Sequence, residues 1–175
     1  PDLYGKGIRG DNPDDNLKLM QPLLDDRPLL QSRVAHGVEI ARDQDAVDKS
    51  RVAATGYCFG GLCVLDLARM GSDVLGVVSF HGLFQPPGNT EGNSIRAKVL
   101  ALHGWEDPAA PPEGVVALAT ELTEAGADWQ IHGYGHTLHA FTKPDAQIPN
   151  PGSQYSETAD RRSWQSMTNF LAEIL

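Results

Sequence analysis

The sequence predicts an α/β fold with a mainly parallel sheet and helices on both of its faces. Stretches with strand character alternate along the chain with stretches of helical periodicity, which is the pattern of parallel strands joined by helices. Residues 74–81 are apolar almost throughout, without the alternation of a strand that has one face in water. A glycine-rich turn at residues 56–61 joins a predicted strand directly to a predicted helix.

The first part of the chain is predicted to be loop and helix. Residues 5–16 are rich in Gly, Asp, Asn and Pro, which favours a loop. Leucines then recur at helical spacing, but Pro22 and Pro28 interrupt that pattern. A longer amphipathic helix is predicted over residues 30–44, and residues 51–57 are predicted to form the strand that leads into the glycine-rich turn.

The remainder of the chain continues the alternation of helices and strands. Residues 62–70 are apolar on most sides, so we expect a buried helix there, ended by Gly71. The later elements are predicted to be a buried strand over residues 98–103, a helix from Pro111 and Pro112 to Gly126, a strand over residues 128–133, a proline-rich loop over residues 142–156, and a last amphipathic helix capped by Ser156.

Length and charge narrow the functional classes. A chain of 175 residues with no internal boundary is expected to form one domain over residues 1–175. Its 23 acidic residues outnumber its 14 basic ones and are scattered, which argues against nucleic acid and membrane surfaces as partners. The two cysteines form no disulfide framework and no signal segment or membrane span is found, so we expect a cytoplasmic protein.

Cys58 lies at the apex of the glycine-rich turn and is the predicted nucleophile. The small residues around it allow a sharp turn from strand to helix, which is the pattern of a nucleophile elbow with a thiol in place of the hydroxyl. The partial positive charge at the N-terminus of the following helix favours a thiolate. A buried structural thiol is the alternative interpretation, and it is the one we favour for Cys63, which lies on the apolar helix.

An acid and a base follow later strands. Ligands bind at the carboxyl ends of parallel strands, where Asp107 and His139 are expected. Nucleophile, acid and histidine occur in the chain order of α/β-hydrolases. Glu106 and His136 are the rival residues; the shorter side chain of Asp107 suits a fixed acceptor, and a three-residue offset would turn the ring of His136 elsewhere.

A metal site and a dinucleotide site are both disfavoured. Three histidines lie close together in sequence, but Gly133 and Gly135 interrupt the segment, so a helical metal-binding pair cannot form. In a dinucleotide fingerprint the middle glycine would be Cys58, whose side chain would block the approach of a pyrophosphate. We therefore expect no cofactor and no metal.

In these motifs the chain resembles the dienelactone hydrolases (carboxymethylenebutenolidases). The matching segments are residues 1–5, residues 51–61, the motif His-Gly-x-x-Asp that ends at Asp107, and the motif Gly-His-x-x-His-Ala-Phe that ends at Phe141. The resemblance implies a three-layer α/β-hydrolase-like fold and the cleavage of small esters or lactones. It also implies that Cys58 attacks the carbonyl, that His139 is the general base, and that Asp107 orients His139. The backbone amide of Phe59 would then donate to the oxyanion.

Substrate contacts are predicted less specifically than the catalytic residues. His81, Trp105, Phe141 and Lys143 are candidates to line a substrate pocket, although a capping role for His81 is equally consistent with its position after a strand. Lys143 occupies the place of a family arginine but lacks its bidentate fork. The arginine–tyrosine pair with which family members bind an anionic dienelactone has no counterpart near residues 17–24. A thioesterase or peptidase with the same triad is therefore an alternative.

The resemblance also implies strands and a helix ahead of the segment that matches residues 1–5. In the family they carry a second oxyanion donor and a glutamate near the nucleophile, and the sequence is expected to lack that N-terminal portion. The strand before the elbow would then be an exposed sheet edge, which invites pairing with another chain. A non-catalytic remnant that binds a partner or forms a homo-oligomer through this edge is the second hypothesis.

Overall fold

The computed structural model describes residues 2–147 and 152–175. Within them, strands β1 to β4 form one sheet in the order β1-β2-β3-β4, and every neighbouring pair is parallel. The elements in chain order are α1 (Pro13–Asp25), α2 (Arg27–Arg42), β1 (Ala53–Tyr57), α3 (Phe59–Arg69), β2 (Gly76–Phe80), β3 (Lys98–Gly104), α4 (Pro112–Glu124), β4 (Trp129–Tyr134) and α5 (Glu157–Ile174). The predicted α/β class and parallel sheet are confirmed.

Both faces of the central strands are covered. Val77 and Val99 belong to a core shared with α2, α3 and α4, whereas Val78 and Leu100 pack with Met167 and other apolar residues of α5. All five residues of β2 are buried, which explains why its sequence is a continuous apolar run. The result is a helix–sheet–helix sandwich whose strand ends meet at one edge.

The first two helices differ from the sequence prediction. The predicted loop over residues 5–16 ends early, because α1 begins at Pro13. Pro22 and Pro28 were both expected to interrupt the helical pattern, but Pro22 lies inside α1 and Pro28 lies in the first turn of α2. A proline in the first turn of a helix lacks only an N–H that has no intrahelical acceptor. Asn12 and Asp26 accept backbone N–H groups and so cap the two helices. The predictions at Pro13 and Pro28 were wrong because proline was treated as a helix breaker at positions where it begins a helix; at Pro22 the helix continues through the proline.

A buried ion network ties three helices together. Asp66 on α3 accepts two hydrogen bonds from Arg27 on α2, at 2.8 and 2.6 Å, and lies 3.3 Å from Nη1 of Arg69. Arg69 in turn donates to both carboxylate oxygens of Glu121 on α4, each at 2.7 Å. Asp66 has no exposed surface, so its charge depends on these partners for compensation.

Replacing Asp66 with asparagine is expected to lower the free energy of unfolding by about 3–5 kcal/mol, because two buried guanidinium groups then lose their shared anion. Urea unfolding followed by circular dichroism measures the change. The control is Asp73→Asn, since Asp73 pairs with Arg42 at 2.8 Å but its side chain is 69% exposed; we expect less than about 1 kcal/mol there. Equal effects of the two variants would contradict the prediction.

No helix among residues 2–147 and 152–175 is long and apolar enough to cross a membrane.

Candidate active site

Cys58 sits in a sharp turn between β1 and α3. Its backbone has φ 54° and ψ −117°, a conformation that residues other than glycine rarely adopt. Its N–H donates to the carbonyl of Phe80 on β2 at 3.0 Å. A Cβ atom added to Gly56 would lie 1.9 Å from the carbonyl oxygen of Gly60, so the turn requires glycine at position 56. The chain thus presents the thiol at the carboxyl edge of the sheet.

His139 lies between Cys58 and Asp107. Its Nε2 is 3.1 Å from the Cys58 Sγ, and its Nδ1 is 2.7 Å from an Asp107 carboxylate oxygen. The other Asp107 oxygen accepts the backbone N–H of Ala109 at 2.8 Å, which fixes the carboxylate. The structure thus brings the predicted nucleophile, base and acid into one hydrogen-bonded chain.

The two rival residues lie away from this chain. Glu106 and His136 approach each other at 3.1 Å on the surface, where the His136 side chain is 98% exposed. Asp107, in contrast, is 1% exposed. The acceptor and base suggested by the shorter side chain and by the sequence offset are therefore the ones that the fold places beside the thiol.

The charge state of His139 reflects a competition. Burial lowers the pKa of the imidazole, but the hydrogen bonds to Asp107 and Cys58, together with their charges, outweigh burial and raise the pKa to about 10. The imidazolium form is therefore favoured at neutral pH. A protonated ring beside the sulfur can compensate a thiolate and can later supply a proton.

Phe59 is the first residue of α3. The first amides of a helix have no intrahelical acceptor and carry the positive end of the helix dipole, so the Phe59 N–H can donate to an oxyanion beside Cys58. The Phe59 ring is buried and stacks on the ring of Tyr4, with centroids 6.2 Å apart. Burial, followed by the charges of Cys63 and Cys58, raises the pKa of Tyr4. Tyr4 belongs to residues 1–5, one of the segments that resemble the family, but the motif there predicts no role for its side chain.

His81 and Phe141 lie behind His139, the predicted base. The His81 ring is 5.1 Å from the His139 ring and 5.1 Å from the Phe141 ring, in edge-to-face contacts. Phe141 has no exposed surface, so in this geometry it supports the site from within. The hydroxyl of Thr142 lies 2.9 Å from His81 Nε2; the sequence carried no signal for this contact, which joins residues 61 positions apart.

The other two substrate candidates lie at the surface. The side chain of Trp105 is 45% exposed, next to Gly133. Lys143 is also exposed, and its backbone N–H closes a turn on Ala140. Of the predicted loop over residues 142–156, residues 148–151 lie outside the described part of the chain. Among the described residues, no three His, Cys, Asp or Glu side chains are grouped to hold a metal ion.

The sequence is similar to those of a known protein family and of several individual proteins. The model of the dienelactone hydrolase family matches residues 1–175. An uncharacterized Caenorhabditis elegans protein is 32% identical over 151 residues, which are 82% of this chain and 93% of the relative. A putative carboxymethylenebutenolidase of Aquifex aeolicus is 26% identical over 177 residues, covering 100% of this chain and 74% of the relative.

Two solved structures show the same fold. One, called m3DLH, has a TM-score of 0.90 and 32% identity, and the match covers 99% of this chain and 72% of the other. The second is a dienelactone hydrolase-like promiscuous phosphotriesterase from metagenomic libraries. It also has a TM-score of 0.90, with 34% identity, and the match covers 98% of this chain and 72% of the other.

Proposed function

The chain belongs to the dienelactone hydrolase family, whose members are hydrolases of ester bonds, and we propose that it cleaves small ester or lactone bonds with Cys58, His139 and Asp107. The observation that carries the proposal is the hydrogen-bonded chain from Sγ through the imidazole to the carboxylate, with separations of 3.1 and 2.7 Å. Such a chain is the arrangement that activates a thiol nucleophile.

In the acylation step, the Cys58 thiolate attacks the carbonyl carbon. The carbonyl oxygen becomes an oxyanion, which accepts the N–H of Phe59 at the N-terminus of α3. The tetrahedral intermediate collapses, the carbon–oxygen ester bond breaks, and the leaving alkoxide takes the proton from His139 Nε2. In a lactone the alkoxide remains tethered to the acyl group, so the ring opens on the enzyme.

In the deacylation step, neutral His139 accepts a proton from water while the water oxygen attacks the thioester carbon. The carbon–sulfur bond then breaks and Cys58 leaves as the thiolate, paired again with the imidazolium. Asp107 holds the Nδ1–H throughout, which keeps Nε2 directed at the sulfur and stabilises the positive charge. We further propose that Trp105 and Lys143 contact the substrate, because both are exposed and each lies within four residues of a triad member.

Trapping of the acyl-enzyme tests this proposal. With p-nitrophenyl acetate we expect a burst of nitrophenolate followed by steady turnover, and an acetyl group on Cys58 in peptide mass mapping after rapid acid quenching. Cys63 is the internal control, since burial, reinforced by the charge of Asp66, raises its pKa to about 12 and leaves it unreactive. Acetyl found elsewhere, or turnover that survives alkylation of Cys58, would refute the mechanism. The absence of both an adduct and turnover would favour the non-catalytic remnant.

Phosphotriester hydrolysis is a second candidate, favoured by the 34% identical promiscuous phosphotriesterase. The Cys58 thiolate would displace nitrophenolate from paraoxon, and the leaving oxygen would take the proton from His139. Water activated by the neutral His139 would then cleave the phosphorus–sulfur bond and release the phosphate diester. Paraoxon in the trapping assay separates the two functions. Sustained turnover would support the second candidate, whereas a stoichiometric phosphoryl adduct without turnover would leave carboxylic esters as the substrates.

A further inference from the structure

His81 is a buried histidine that takes no step in the proposed reaction. It follows β2 at the catalytic edge of the sheet and is 3% exposed. Its backbone has φ 36°, which is unfavourable for a side chain of this size, and its Nδ1 has no hydrogen-bond partner among the described residues. Strain of this kind persists only where the surrounding structure holds the residue in place, and it is concentrated at functional sites.

Phe80, the last residue of β2, and His81, which follows it, bind the two segments that carry Cys58 and His139. The carbonyl of Phe80 accepts the N–H of Cys58 at 3.0 Å. The next side chain, that of His81, is hydrogen-bonded through Nε2 to the hydroxyl of Thr142 at 2.9 Å, three residues after His139. The backbone N–H of His81 donates to Leu102 on β3 at 2.8 Å and anchors this arrangement to the sheet.

The His81 ring also restricts the orientation of the catalytic base. The His81 ring packs edge-on against the ring of His139 at an interplanar angle of 67°. The ring of Phe141 packs edge-on against the His81 ring at 80°. The χ2 angle of a histidine has a broad, shallow preference of its own, so neighbouring rings decide where the two nitrogens point. Rotation of His139 would turn Nε2 away from the sulfur.

The electrostatic surroundings keep His81 neutral beside the cationic base. The titratable groups that face it are His139, Asp107, His103 and, across the ring contact, Tyr57. Burial, followed by the charge of His139, lowers the pKa of His81 to about 4, although Asp107 acts in the opposite direction. A neutral ring next to His139 avoids the repulsion that a second cation would add.

We propose that His81 is a positioning residue, which holds His139 at hydrogen-bonding distance from Cys58 through its bond to Thr142 and its edge-on ring contact. The kinetic consequence rests on the proposed function. The effect on the Cys58–His139 contact does not, because the reactivity of the thiol can be measured without any substrate.

The test compares variants that remove the His81–Thr142 hydrogen bond. Thr142→Val removes it with little change of shape and leaves His81 in place; His81→Phe keeps a ring but loses the nitrogen; His81→Gln can restore a polar group near Nε2. The matched control is His132→Phe, since His132 makes a similar bond to the hydroxyl of Ser166, 3.2 Å away between β4 and α5. The measurement is the rate of iodoacetamide alkylation of Cys58 as a function of pH.

For Thr142→Val and His81→Phe we expect alkylation of Cys58 at neutral pH to slow by about tenfold or more, as for a misplaced catalytic partner. We also expect the pH of half-maximal alkylation to rise. The double variant, Thr142→Val with His81→Phe, should be alkylated no more slowly than His81→Phe alone. His81→Gln should recover part of the alkylation rate that His81→Phe loses, and His132→Phe should match the wild type. With p-nitrophenyl acetate, kcat should fall while KM changes little.

An alkylation profile in Thr142→Val that equals those of the wild type and His132→Phe would overturn the proposal. So would strictly additive effects of the two substitutions, which would show that they do not share one interaction. If His81→Phe fails to fold, Thr142→Val still gives the answer. If the wild type hydrolyses no ester, the proposed function fails, but the alkylation profiles still decide the role of His81.

Discussion

Cys58→Ala is expected to reduce kcat for p-nitrophenyl acetate by about 10⁴- to 10⁶-fold, the range found when a hydrolase loses its nucleophile. Without the sulfur no acyl-enzyme forms, and His139 has no nucleophile of the enzyme to activate. The residual rate over water would come from the Phe59 amide and from substrate binding alone. Steady-state kinetics of the purified variant, with the burst amplitude measured in parallel, check the prediction.

Two further variants make this result specific. Cys63→Ala is the control, because Cys63 is buried in α3, belongs to the hydrophobic core and takes no part in the triad; its kcat should stay within about twofold of the wild type, although its stability should fall. Cys58→Ser should retain more activity than Cys58→Ala but far less than the wild type, since a hydroxyl ionises much less readily than a thiol. Full activity in Cys58→Ala would show that the nucleophile lies elsewhere.

The three residues of the proposed triad could be picked out from the sequence because each is tied to a local pattern. Cys58 stands in a turn that needs glycine at position 56, Asp107 follows the buried strand β3, and His139 follows the edge strand β4. Parallel strands bring their carboxyl ends to the same edge, so the order of such patterns along the chain predicts which side chains meet. The continuous apolar run at β2 likewise predicted a strand that is covered on both faces.

Interactions between polar groups that lie far apart in the chain could not be predicted from such sequence patterns. Asp66 and Arg69 lie on an apolar helix, and the structure pairs them with Arg27 and Glu121 from two other helices. The bond between His81 and Thr142 spans 61 residues. Neither pairing has a period or a motif, because each depends on how the helices and loops pack once the sheet has formed.

The starts of α1 and α2 were predicted wrongly for a different reason. Local propensity treats proline as unfavourable throughout a helix, but its effect depends on position. Pro13 and Pro28 occupy first-turn positions behind the capping side chains of Asn12 and Asp26. A reading that paired each proline with a preceding Asn or Asp would have placed both starts.

The electrostatic role of Asp107 leads to the second large effect. In Asp107→Asn the hydrogen-bonded geometry can persist, including the bond from the Ala109 N–H, but the charge that stabilises the imidazolium is gone. The amide can also donate to Nδ1, which would place the ring proton on Nε2 and stop that nitrogen from accepting a proton. We expect kcat for p-nitrophenyl acetate to fall by about 10³- to 10⁴-fold.

Asp107→Asn is also expected to lower the pKa of His139. In the wild type the raised pKa of His139 keeps the ring protonated until the pH approaches about 10. Without the carboxylate, burial pulls the pKa of His139 down, so the imidazolium is lost at a lower pH. NMR titration of the His139 ring should show the lower midpoint. Glu106→Gln removes the neighbouring exposed carboxylate and should change neither the midpoint nor kcat appreciably; an Asp107→Asn variant that behaves like it would show that Asp107 does not support the base.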